Sequence, residues 1–129
     1  PLDIVKLVQE KVKLLDLDPS ILKKSLNEEF SGGEKKLNEL LQMAVLQPKL
    51  AILDEIDSGL DLDTIRLLGS TLQKMKKQDN AYIIITHYPR LFQYITPDVI
   101  HILDKGKLIQ TGDATLAQKL LQTGYKKTP

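Results

Sequence analysis

Two short, uninterrupted runs, Leu50-Ala51-Ile52-Leu53 and the isoleucine-rich Tyr82-Ile83-Ile84-Ile85-Thr86, bracket a single helical pattern. Runs of this kind predict strands buried on both faces, which belong to parallel sheets covered by helices. Between them Asp61 precedes Leu62, Ile65, Leu68, Leu72 and Met75, whose spacing predicts a capped helix with those five residues inward. Strand, helix, strand in that order predicts a βαβ unit with parallel strands and a right-handed crossover. The fold class is therefore α/β. Parallel strands finish on one edge, so the residues after Leu53 and those after Thr86 should lie side by side. In open α/β sheets that carboxyl edge is where ligands bind.

The rest of the chain supplies helices and a hairpin. Ile4, Leu7, Val8, Val12 and Leu15 recur at helical spacing, and Asp18-Pro19 predicts the cap and first turn of a short helix reaching Leu26. After the polar break Asn27-Glu28-Glu29 comes Phe30-Ser31-Gly32-Gly33, then a helical stripe of Leu37, Leu40, Leu41, Ala44 and Val45 that ends near Pro48. Residues 99–103 and 108–111 read as two strands joined by the turn Asp104-Lys105-Gly106-Lys107, and a last helix runs from about Asp113 to Gln122. With 129 residues the chain is one domain or a large piece of one, and it opens at Pro1 directly inside a helical pattern, as an excerpt would. A net charge of +1 gives no electrostatic reason to expect nucleic acid or lipid as a partner. The absence of cysteine excludes disulfides, thiolate metal sites and a cysteine nucleophile. No apolar run is long enough to span a bilayer, so no direct membrane insertion is expected.

Three segments could carry chemistry. Ser31 with Glu34 three residues on has capping-box spacing, and Gly32 and Gly33 leave backbone N–H groups uncovered at the positive end of a helix, which favours a phosphate. Asp54 and Glu55 leave the first strand at the ligand edge; Asp54 could hold a hydrated magnesium ion while Glu55 polarises an attacking water. His87 follows the second strand and should come close to Glu55. Each also has a plain structural reading: an ordinary helix cap, acids re-entering solvent, a hydrogen-bonded histidine. His101, inside an apolar strand, and Ser58-Gly59-Leu60-Asp61, a turn before a helix cap, need no function by themselves. The ordered combination is what points to one chemistry.

In that order the residues resemble the ABC ATPases, a branch of the P-loop NTPases. Phe30-Ser31-Gly32-Gly33-Glu34 is similar to the family's signature motif, and residues 50–55 to its Walker B strand with the catalytic glutamate. Residues 58–61 are similar to its D-loop and His87 to its switch histidine. Within the family, Glu34-Lys35-Lys36, Leu41-Gln42-Met43-Ala44, Asp57 to Asp61, Thr86-His87-Tyr88 and Gly124-Tyr125 resemble the SufC subfamily, the ATPases of the Suf iron–sulfur cluster assembly machinery of bacteria and plastids. The resemblance covers essentially all 129 residues. Leu37 stands where that subfamily usually has arginine, and Ile56 where a small polar residue is commoner. No Gly-x-x-x-x-Gly-Lys-Ser/Thr occurs, and no Q-loop glutamine is identifiable. Both are expected upstream of Pro1. The resemblance thus implies the C-terminal portion of one ABC ATPase domain, with 1–48 a helical signature-motif region and 49–129 the nucleotide-binding α/β core carrying a C-terminal β-hairpin.

The same resemblance implies ATP and Mg2+ as ligands and a second ATPase subunit bound head to tail, with ATP trapped between the two. It sets Ser31, Gly32 and Gly33 against the γ-phosphate of ATP held by the partner, and counts Glu34 and Asp61 among the nucleotide-binding residues. Asp54 would contact magnesium through water, Glu55 would activate the hydrolytic water, and His87 would contact the γ-phosphate. Without the main phosphate-binding loop the excerpt alone is expected to be inactive. Suf scaffold proteins follow as further partners, in a bacterial cytoplasm or a plastid stroma. The nucleotide-binding subunit of an ABC membrane transporter shares every motif and is the alternative. A non-enzymatic adaptor would also keep this fold, but the intact Glu55 and His87 argue against it.

Overall fold

The computed structural model describes residues 2–23 and 30–124. The remainder of the expected short helix (24–26), the break at Asn27-Glu28-Glu29 and the closing Tyr125 lie outside the described residues. In chain order the elements are α1 (Leu2–Leu14), a 3-10 turn (Pro19–Leu22), α2 (Gly32–Leu46), β1 (Leu50–Asp54), α3 (Leu62–Met75), β2 (Ala81–Ile85), a second 3-10 turn (Pro89–Gln93), β3 (Ile100–Asp104), β4 (Lys107–Gly112) and α4 (Ala114–Thr123).

Local chemistry sets most of these boundaries. Asp18 accepts from the Ser20 N–H at 2.8 Å, with Pro19 fixing φ in the first turn. Ser31 and Glu34 form the reciprocal capping box at the start of α2: Ser31 Oγ accepts from the Glu34 N–H at 3.3 Å, and Glu34 Oε2 from the Ser31 N–H at 2.9 Å. That helix stops at Gln47, which takes a left-handed conformation just before Pro48. Asp61 opens α3 by accepting from the Thr64 N–H at 2.7 Å, and Asp113 opens α4 in the same manner through Thr115.

β1 and β2 pair in parallel, with Leu50 opposite Ala81 and Asp54 opposite Ile85. β3 and β4 form the expected antiparallel hairpin, with a register irregularity between Ile102 and Leu103. His101 sits on an exposed face of that hairpin, its Nδ1 2.9 Å from Oγ1 of the cross-strand Thr111, in keeping with a structural role. The main core gathers α1, α2 and α3 against one face of the β1–β2 pair around the fully covered Leu15, Leu40 and Leu68. A smaller cluster of Ile100, Leu116, Ala117 and Leu120 seats α4 on the hairpin. Tyr82 crosses from the sheet to the end of α3, where its hydroxyl donates to the Met75 carbonyl at 2.9 Å.

Two expectations fail. The strands are buried on one face only: Ala51, Leu53, Tyr82 and Ile84 pack on the core, whereas Leu50, Ile52, Ile83 and Ile85 are half exposed or more. An uninterrupted apolar run marks strands meant for two covered faces, yet among the described residues helices cover one. Leu62 also lies outside the core. It occupies the first turn of α3, and the buried face is completed lower down by Gly69 and Thr71.

Gly69 has no room for a side chain, because a Cβ there would overlap the Cβ of Tyr94 in the segment beneath α3. Gly69→Ala is therefore expected to destabilise the fold by about 1–3 kcal/mol despite alanine's better helix propensity. A denaturant midpoint at or above the wild-type value would contradict this packing.

Candidate functional site

The parallel register brings the two chemistry-bearing strand ends together. Glu55 directly follows β1 and His87 lies two residues beyond β2. His87 Nδ1 is 3.3 Å from Glu55 Oε1, with both side chains slightly more than half exposed. The contact is an ion pair when the imidazole is protonated and a hydrogen bond when Nδ1 alone carries the proton. The Tyr88 ring leans on the imidazole, with centroids 4.0 Å apart.

Glu55 is held in an unusual backbone conformation. Its φ of 45° lies in the left-handed region, uncommon for a residue with a side chain. Such a conformation costs on the order of 1–3 kcal/mol and persists where the surroundings over-determine it. Here the Glu55 N–H donates to the Ile85 carbonyl at 2.9 Å, and the Glu55 carbonyl accepts from the Ser58 N–H at 3.0 Å. The next residue, Ile56, is buried in the main core and pins the turn from below. Its apolar character, unexpected beside this motif, has a packing reason.

Asp54 ends β1 with an exposed side chain, at the same edge as Glu55. Among the described residues no group of three or more metal-ligating side chains occurs. A single exposed carboxylate fits magnesium, which keeps several waters and binds through one or two carboxylates together with substrate phosphates.

The glycine pair forms a second set. Ser31 and Gly32 are exposed at the start of α2, where the first N–H groups of a helix lack intrahelical acceptors. Nothing lies within 4 Å of the position a Gly32 side chain would take, so a ligand can approach the backbone there. Gly33 faces inward, and a Cβ on it would meet Thr64 Cγ2 at 3.5 Å and Leu60 Cδ2 at 3.7 Å. The helix that opens with the glycines therefore rests on the turn and first residues of α3. Asp61 spends its carboxylate on capping that helix; the hydrogen bonds from the Thr64 backbone and side chain hold its carboxyl below the ordinary range.

Two residues of this edge were named from sequence only as parts of motif segments, with no role of their own. Asp57 is 1% exposed, and its Oδ2 accepts from Thr86 Oγ1 at 2.6 Å. Thr86 Oγ1 in turn accepts from the Tyr88 N–H at 2.9 Å. The one available signal was a third acid two residues after Glu55, and nothing in the sequence said that it turns inward.

Similar proteins place this edge in context. Over 123 residues the chain is 51% identical to a probable ATP-dependent transporter of Synechocystis sp., covering 95% of this chain and 48% of that protein. It is 49% identical over 125 residues to the probable ATP-dependent transporter ycf16 of Cyanophora paradoxa, and 46% identical over 121 residues to vegetative protein 296 of Bacillus subtilis. Those alignments take in 97% and 94% of this chain, and 48% and 46% of the relatives. The chain thus spans about half the length of these relatives. No family model matches it. Among solved structures it superposes on an ATP-binding cassette of an ABC transporter in its ADP conformation with a TM-score of 0.72 at 22% identity, over 95% of this chain and 47% of that one. A bacterial ABC exporter with ATP bound gives 0.68 at 23% identity, over 93% of this chain and 22% of that one. The chain has the α/β fold of the C-terminal part of an ATP-binding cassette, and in sequence it is similar to about half the length of probable ATP-dependent transporters.

Proposed function

We propose that the full-length protein binds and hydrolyses ATP as a head-to-tail dimer and uses the cycle to drive conformational change in Suf-type iron–sulfur cluster assembly. The observation that carries the ATPase reading is the 3.3 Å approach of His87 Nδ1 to Glu55 Oε1 on the carboxyl edge of a parallel strand pair. A carboxylate there can orient and deprotonate a water, while an imidazole beside it steadies a charged phosphoryl group. Glu55 supplies the general base, His87 a γ-phosphate contact, and Asp54 the magnesium contact through water. Ser31, Gly32 and Gly33 offer the start of α2 to the γ-phosphate of a nucleotide held by the second subunit, with Glu34 fixing the cap. Asp61 acts on the nucleotide through the turn and helix on which Gly33 rests.

The half-exposed state of Glu55 and His87 supports an active site finished by a second surface, since water must be excluded for such groups to act at full strength. The assembly role rests on the resemblance of residues 34–36, 41–44, 57–61 and 86–88 to the SufC subfamily. It places the protein in a bacterial cytoplasm or a plastid stroma. The transporter reading is favoured by the name of the relatives, probable ATP-dependent transporters. Partner capture separates the two. The full-length protein is expected to co-purify with a soluble β-helical scaffold protein; co-purification with an intrinsic membrane permease instead would overturn the assembly role and leave the ATPase chemistry standing.

A further inference from the structure

The inward turn of Asp57 has no explanation in packing. Ile56 already anchors the loop in the core, and a carboxylate that is 1% exposed carries a desolvation penalty. Its Oδ1 has no hydrogen-bond partner among the described residues, so that penalty is only partly offset. What the carboxylate does make is one short, charge-assisted bond, at 2.6 Å, to the hydroxyl of Thr86. Asp57 stands two residues after Glu55, and Thr86 stands immediately before His87. The bond therefore ties together the two loops that carry the reactive groups, one step behind each. The Tyr88 N–H, donating to the same Thr86 oxygen at 2.9 Å, fixes the far side of His87 as well.

We propose that Asp57 and Thr86 form a latch that sets Glu55 opposite His87, which makes both of them positioning residues; as a statement about catalysis this rests on the ATPase function proposed above. The β1–β2 hydrogen bonds align the strands, but they end at the Glu55 N–H. Beyond that point no backbone hydrogen bond joins the two loops among the described residues, which leaves their spacing to side chains. The latch explains why a left-handed Glu55 is followed by a buried acid: the turn that lifts Glu55 outward swings Asp57 beneath it toward Thr86.

The test uses Thr86→Val, which keeps the shape and removes the hydroxyl, Thr86→Ser, which restores it, and Asp57→Leu, which removes the acceptor oxygens at similar size. In the full-length protein, Thr86→Val is expected to lower kcat for ATP about tenfold to a hundredfold, as a small misplacement of reacting groups does, with little change in KM. Thr86→Ser should recover most of the rate. Independently of turnover, the ring nitrogen signals of His87 in NMR spectra should move in Thr86→Val toward those of Glu55→Ala, which lacks the contact, and stay near wild type in Thr86→Ser. Should Thr86→Val fail to fold, Asp57→Leu decides by the same two readouts. Wild-type kcat together with unmoved His87 signals would overturn the latch. Moved His87 signals in a protein that never hydrolyses ATP would sink the ATPase reading and leave the latch standing.

Discussion

Replacing Glu55 with glutamine in the full-length protein is expected to cut ATP turnover by a factor of about a hundred or more while ATP binding persists. Glutamine keeps the size of the side chain and one acceptor oxygen, so the contact with His87 Nδ1 can survive. It cannot take a proton from water. The loss should therefore fall on kcat, with nucleotide affinity near wild type, because Glu55 hangs on a turn outside β1 and its main-chain bonds do not depend on its charge. Trapped, unhydrolysed ATP should also prolong the dimer. A Glu55→Gln protein that turns over ATP at the normal rate would remove the general base from this account.

The second large effect concerns the 129 residues alone, which are expected to show no ATP turnover above a Glu55→Gln control. Phosphoryl transfer needs little covalent help from a protein; its catalysis is almost wholly positioning and charge stabilisation. Holding the reactants in register is worth about 7–11 kcal/mol in favourable cases, and a site without its main phosphate ligands forfeits most of that. The sequence contains no glycine-rich loop with the lysine that would cradle the β- and γ-phosphates. On the proposed function the available ligands are Asp54, Glu55, His87 and the start of α2, and each would act on a phosphate group that something else must already hold. Phosphate release by the isolated chain, lost in its Glu55→Gln form, would contradict this.

The arrangement that matters most is legible in the sequence. Order and apolar run length gave the parallel pair, and the pair alone forced residues 54–55 and 86–87 onto one edge. The caps at Asp18, Ser31 and Asp61 were legible for the same reason, since each depends on residues within three positions of itself. What the sequence hid depends on neighbours distant along the chain. Ile52 and Ile84 are chemically alike, yet one is exposed and the other packs on the core, because the covering helices decide which face is inside. Leu62 fits the helical stripe but lies in the first turn of α3 and is 56% exposed. The burial of Asp57 had no sequence signal; it lies two residues after the left-handed step at Glu55. A backbone angle of that sort leaves no mark in composition or periodicity.

A double-mutant cycle on Glu55 and His87, read as ATP turnover by the full-length protein, bears most directly on whether these strand ends form one reactive unit. If they work together on a single phosphoryl group, the Glu55→Gln/His87→Ala double variant should lose about as much rate as Glu55→Gln alone. A double variant whose loss equals the product of the two single losses would mean that the carboxylate and the imidazole act independently, and would contradict the shared site.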